Sequence, residues 1–203
     1  SGGNTNFVCQ NTAEKDDIYR VRVLQSPCFH GILIILVKWR YLTLRIMHVM
    51  GGGDVGGAKT QIMNTVTGLN RNNDVMLISF RAGPFADEAR ERGIDVRVIE
   101  RHNPFRAART MRDLVDAFKP DIIHCHGGRA NLMGAMVRRS RQVPIVTTVH
   151  SDYRLDYLGS PLKQYTLGTA NAIALRFLDF YQPVADRMAR TLIERGFDPE
   201  RIV

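Results

Sequence analysis

Three imidazoles of this chain stand where apolar runs end. His124 and His126 close the run DIIHCH (residues 121–126), and Gly127-Gly128 follow at once. His150 closes PIVTTVH (residues 144–150) and is followed by Ser151-Asp152. An imidazole can donate or accept hydrogen bonds near neutral pH and can serve as a general acid or base. Residues i and i+2 of a strand share a face, so His124 and His126 point the same way if the strand reaches both. A second constellation is GGGDVGGAKT (residues 51–60), directly behind the run LRIMHVM. Glycines let main-chain N–H groups approach a ligand closely. A helix starting there adds unpaired N–H groups and the positive end of its dipole. Together these make a site for an anion, most often phosphate.

Two phosphate motifs nearly match the glycine turn. Gly51, Gly53 and Gly56 satisfy G-x-G-x-x-G. That pattern expects a carboxylate at the end of the next strand to hold a ribose. Here the end reads Ser79-Phe80-Arg81. Arg81 could meet a 2′-phosphate, which keeps a nicotinamide-dependent oxidoreductase open. Gly52 and Gly57 have the spacing of G-x-x-x-x-G-K-[ST], but Ala58 intervenes before Lys59-Thr60. One extra helical residue turns the lysine by about 100°. A metal reading would converge His126, His150 and Asp152, yet no H-E-x-x-H or cysteine cluster supports it, so no metal is expected.

These groups need elements to position them. From residue 44 onward, short apolar runs alternate with helical patterns. Strands are expected at 44–50, 75–80, 94–99, 121–125, 144–150 and 180–184. Between them, residues 58–70 carry Ala58, Ile62, Met63, Val66 and Leu69 on one stripe. Pro84 opens a helix that Gly93 ends, and Asn103-Pro104 caps another with Phe105, Ala108, Met111, Val115 and Phe118 inward. Helices are also expected at 129–139, after Ser160-Pro161, and at 186–195 with Met188, Leu192 and Ile193 facing in. Strands alternating with helices predict an α/β fold, a doubly wound parallel sheet of Rossmann-like type. In such a sheet ligands bind beyond the carboxyl ends of the strands, where the glycine turn and the imidazoles lie.

Composition sets the outer bounds. The chain has 203 residues, 44% hydrophobic and 24% charged, which excludes a disordered, collagen-like or membrane-spanning protein. The three cysteines are far apart, which excludes a zinc ribbon or disulfide scaffold and fits a reducing compartment. Net charge is +8, and residues 101–150 hold nine Lys/Arg against three Asp/Glu. Such a region favours phosphate-bearing ligands or an anionic membrane surface. Nucleic acid is not expected as a partner, because no aromatic-and-basic recognition motif is present. Residues 1–43 do not fit the alternation and read as a separate leader of unknown status. Their run GILIILV (residues 31–37) is too short to span a bilayer and reads as a buried strand or a non-native leader. The chain begins at Ser1, and Ile202-Val203 read as the first residues of another strand, so a fragment is expected.

The ordered set of G-G-A (Gly56-Gly57-Ala58), D-I-I-H-x-H, P-I-V-T-T-V-H and the closing L-I-E-R-G-F-D-P-E-R-I-V resembles the N-terminal domain of family 4 glycosyltransferases. The resemblance covers about residues 44–203. It implies one half of the two-Rossmann GT-B architecture, and retaining transfer of a hexosyl group. The acceptor-binding half would be present here. The donor-binding half, with its E-x7-E motif, would lie downstream, because no two glutamates here are eight positions apart. It further implies that Gly56 and Gly57 lie against donor phosphates or acceptor. His126 would project at the reacting sugar, and His150 would line the acceptor side with Asp152 and Arg129. Lys59 stands where the family often has an acid, and Ala185 replaces a common serine.

The implied partners are a nucleotide-sugar donor and a sugar or lipid-linked acceptor, with no further cofactor. The implied setting is cytoplasmic, with a peripheral place at the inner membrane face as one option, in polysaccharide or glycolipid synthesis. This half alone is expected to be inactive. A non-catalytic nucleotide-binding α/β module remains the other alternative.

Overall fold

Alternate residues of each central strand are apolar on both faces, so the sheet must be covered twice. A computed structural model describes residues 6–10, 18–25, 32–37, 43–51, 57–100, 103–152 and 164–203. Three strands come first: β1 (Asn6–Gln10), β2 (Ile18–Gln25) and β3 (Ile32–Val37). They pair antiparallel in sequence order. Within the run at 31–37, residues 32–37 form a strand.

The alternating region follows. It contains β4 (Arg45–Met50), α1 (Gly57–Leu69), β5 (Asp74–Ser79), α2 (Pro84–Glu91), β6 (Asp95–Val98) and α3 (Pro104–Phe118). Next come β7 (Ile122–His126), α4 (Gly128–Arg138) and β8 (Ile145–Val149). A π-helical turn (Gln164–Gly168) runs into α5 (Thr169–Leu175), and β9 (Phe180–Pro183) and α6 (Asp186–Glu194) finish the pattern. The six strands β4–β9 form one parallel sheet in the order β6-β5-β4-β7-β8-β9. The chain thus builds outward on one side, then returns to the middle and builds the other side. This is the doubly wound Rossmann-like α/β fold.

Two core layers follow from the period of two. Met47, Val49, Ile123 and Cys125 pack with Met111 and Val115 of α3 and Met133 and Val137 of α4. Ile46, Met50, Leu77 and Ile122 pack with Ile62, Met63 and Val66 of α1 and Phe85 and Ala89 of α2. Each such large side chain contributes roughly 1.5–3 kcal/mol on burial. Asn103 caps α3, accepting from the N–H groups of Phe105 (2.9 Å) and Arg106 (3.2 Å).

Three expectations change. Phe105 is 72% exposed and Ala107 takes its inward place, because Phe105 lies roughly a third of a turn off the stripe set by Ala108, Met111 and Val115. Ile193 is also exposed, since it stands one residue, or about 100°, past the buried Leu192. The fourth strand of the sheet runs one residue further than expected, so His126 belongs to it. The expected Ser160-Pro161 cap lies outside the described residues. At the far end, Ile202 makes a parallel bridge to Tyr181 of β9, which agrees with its strand-like sequence. No described helix is long and apolar enough to cross a membrane.

Candidate active site

The strand order reverses between β4 and β7, and a crevice opens above their carboxyl ends. The floor is tight: the Gly51 N–H donates to the His126 carbonyl at 3.1 Å. A Cβ on Gly51 would stand 3.3 Å from Cβ of Arg129. Gly127 has φ +85 and turns the chain from β7 into α4, a conformation glycine adopts without strain. The first turns of α1 and α4 both border the crevice, and the opening N–H groups of a helix have no partner within the helix itself. The resulting cavity measures about 690 Å³, and its walls include Lys59, His126, Arg129, His150 and Asn171.

Behind it lies a cluster of imidazoles. Parallel pairing sets His48 beside His124 and Met50 beside His126. The His48–His124 ring centres are 5.0 Å apart, and the His124–His126 centres 4.2 Å apart. His150 stands 6.1 Å from His126. Nδ1 of His48 meets Nε2 of His126 at 3.2 Å. Their rings are nearly parallel, at 11°, with centres 5.5 Å apart. The centre-to-centre distance is close to the N···N distance plus the two ring radii, so the nitrogens face each other head-on.

His124 has a defined hydrogen position. Thr148 donates its single hydroxyl hydrogen to Oε1 of Gln182 (3.3 Å), so its oxygen accepts from Nε2–H of His124 at 2.7 Å. Burial holds the cluster neutral. His48 is pushed down to about 4 by desolvation. His124 and His126 fall well below the usual histidine range, first through desolvation and then through their imidazole neighbours. His150 is lowered by burial. Among the described residues, Nδ1 of His126 and Nε2 of His150 and of His48 are buried with no hydrogen-bond partner, an uncommon and costly state for polar atoms.

The other candidate residues divide. Lys59 borders the cavity while pairing with Glu88 at 3.1 Å. Arg129 borders it too, its guanidinium 4.9 Å over the Phe80 ring. Gly57 begins α1, and Gly56 lies outside the described residues. Asp152 is not brought to the cavity wall: its carboxylate is held in an ion pair by Arg195 after α6. The triad His126, His150 and Asp152 considered for a metal is therefore not assembled. Among the described residues, His48, His124 and His126 put ligand-type atoms within 4.8 Å of one another. The head-on His48–His126 contact is that of an N–H···N hydrogen bond. A shared ion would need both lone pairs redirected to one point.

His48 carries no local sequence signal, since it sits inside an apolar run and finds its partners only through strand pairing. Asn171 was equally silent. It bridges α5 to α4 by accepting from Asn131 at 3.0 Å, and a Cβ on Gly128 would stand 3.1 Å from its Cγ.

A family profile described as Glycosyl transferase 4-like domain matches residues 56–203. The chain belongs to this family. Structural comparison places the glycosyltransferase 4-like domain among GT-B proteins. Anabaena Alr3699/HepE in complex with UDP-glucose aligns at 16% identity with a TM-score of 0.63, covering 79% of this chain and 43% of that one. A glycosyltransferase from Rickettsia africae ESF-5 aligns at 19% identity with a TM-score of 0.62, covering 79% and 42%. A UDP-N-acetylglucosamine 2-epimerase aligns at 13% identity with a TM-score of 0.59, covering 79% and 47%. The domain thus spans less than half the length of these proteins. Comparison with curated proteins gave no match.

Proposed function

We propose that this domain is the acceptor-side half of a retaining GT-B glycosyltransferase. It takes part in moving a hexosyl group from a nucleotide-sugar to an acceptor hydroxyl, in cell-surface polysaccharide or glycolipid synthesis. One observation carries the reading. Two helix starts and two unpartnered imidazole nitrogens, on His126 and His150, border a single cavity at the strand-order reversal. Bond cleavage leaves negative charge on the departing phosphate, and N–H groups fixed at helix starts stabilise it without reorganising. Arg129 adds positive charge at the same wall, where Lys59 stands paired with Glu88. The neutral imidazoles suit sugar hydroxyls, which both donate and accept. The UDP-glucose complex of Anabaena Alr3699/HepE supports a nucleotide-sugar donor.

Closing a second half over the crevice would exclude water and limit donor hydrolysis, and this half alone is inactive in that scheme. The placement is cytoplasmic, at the inner membrane face. Exposed Phe105 beside exposed Arg106 and Arg109 supports contact with an anionic lipid surface or phosphorylated acceptor.

The test uses the whole protein that contains this domain, with radiolabelled UDP-sugars and lipid-linked acceptors. Label appearing in the acceptor with retained anomeric configuration supports the reading. Label that stays on the nucleotide as an epimerised sugar, or tight binding of NADPH instead, overturns it. Equal sedimentation with neutral and anionic vesicles removes the membrane contact.

A further inference from the structure

His48 and His126 share one hydrogen bond, and two neutral imidazoles can make it in two ways. In the first, His48 donates from Nδ1. His126 then carries its own hydrogen on Nδ1, and Nε2 of His48 is a bare lone pair. In the second, His126 donates from Nε2, His48 carries a hydrogen on Nε2, and Nδ1 of His126 is bare. Both leftover atoms are buried without a partner among the described residues, so the two arrangements differ in where the orphan N–H lies. An orphan buried N–H is the rarer and costlier defect. His48 is fully buried in the middle of β4, whereas His126 ends β7 and borders the cavity. Of the two residues only His126 borders the cavity, so a ligand oxygen that enters there and displaces the cover over the buried Nδ1 would relieve an orphan donor at His126 but not at His48.

We infer that His48 is a positioning residue, which donates from Nδ1 to His126 and so fixes His126 as an Nδ1–H hydrogen-bond donor toward a ligand oxygen. This rests on the functional reading above for the ligand, a sugar or phosphate oxygen, but the hydrogen position can be tested without it. It assigns His126 a donor role and removes it as a general base, because its second nitrogen is occupied by His48. The neighbouring His124 is fixed independently by Thr148 and Gln182, so it does not compete for that bond.

The experiment is a long-range ¹H–¹⁵N correlation on the 203-residue chain labelled at histidine, with the His126 signals assigned from His126→Gln. The wild type is expected to show His126 with hydrogen on Nδ1 and a bare Nε2. His48→Asn, which can place an amide N–H near Nδ1, is expected to preserve that pattern. His48→Leu removes the donor and is expected to shift His126 toward Nε2–H. In the whole enzyme His48→Leu should lower kcat roughly 10-fold with a smaller change in donor KM. His48→Asn should recover most of it.

An Nε2–H pattern in the wild type overturns the inference, as does an unchanged pattern in folded His48→Leu. If His48→Leu does not fold, the wild-type spectrum and His48→Asn decide: loss of the Nδ1–H pattern in folded His48→Asn counts against it. Absence of sugar transfer by the wild-type enzyme would defeat the functional reading and leave the hydrogen position standing.

Discussion

Gly134 of α4 lies directly over Cys125 of β7: a Cβ on Gly134 would stand 2.8 Å from the cysteine sulfur. That sulfur is fully buried. Helix and strand therefore approach closely behind the strand that carries His124 and His126. Gly134→Ala is expected to lose about 1–2 kcal/mol, since overpacking of roughly 1–3 kcal/mol outweighs the helix propensity gained, at most about 1 kcal/mol. Cys125→Ala in the same chain should restore part of it. Urea midpoints of the two single variants and the double variant measure the coupling, and simple additivity would refute the contact.

Acid should unfold the domain earlier than its carboxylates alone require. A histidine whose pKa is depressed on folding binds its proton more readily in the unfolded chain. Stability is therefore complete above about 6.5 and declines as pH falls toward about 4, where His48 itself titrates in the fold. His48 alone accounts for about 3 kcal/mol across that window. His124, His126 and His150 shift in the same direction and steepen the decline. Unfolding free energies at pH 7, 6, 5 and 4 check this. A flat profile between pH 6.5 and 5 contradicts the neutral cluster.

Substitutions of His126 should separate the two ring nitrogens. His126→Ala is expected to lower kcat/KM of the whole enzyme more than 10-fold, or about 1.4 kcal/mol. Asn reaches about as far as Nδ1 and can donate there, so His126→Asn should keep more activity than His126→Gln, which reaches toward Nε2. Steady-state kinetics with circular dichroism as a folding control provide the comparison. Equal losses for Asn and Gln would mean that neither nitrogen is used selectively.

Asp152→Asn should act on stability before chemistry. Its ion pair with Arg195 has side-chain exposures of 18% and 16%. Breaking a pair at this depth falls between surface and fully buried cases, about 1–3 kcal/mol. A lowered thermal midpoint with near-normal donor KM is the expected outcome. A large rise in KM without loss of stability would return Asp152 to the binding surface.

The elements were written locally. Alternating apolar runs, the Asn103 cap, Pro84 and the glycines at 93 and 127 name strands and helices within a residue or two, because each signal is completed inside one turn or one pleat. Burial of side chains was less legible where a stripe is two residues wide. Phe105 and Ile193 are apolar and near the right phase, yet they stay outside because Ala107 and Leu192 hold the inward places. His124, His126 and His150 could be found from the chain because each stands at or near the end of an apolar run.

The sequence by itself determined that the strands are parallel and that a glycine turn and imidazoles share their carboxyl edge. Tertiary structure alone decided which imidazole faces which. His48 and His126 are 78 residues apart, and only the pairing of β4 with β7 brings them within one hydrogen bond. It likewise gave Asp152 to Arg195, 43 residues away. Both outcomes depend on register and packing across the whole sheet, where distances of a few ångströms set the interaction and no local pattern of residues records them.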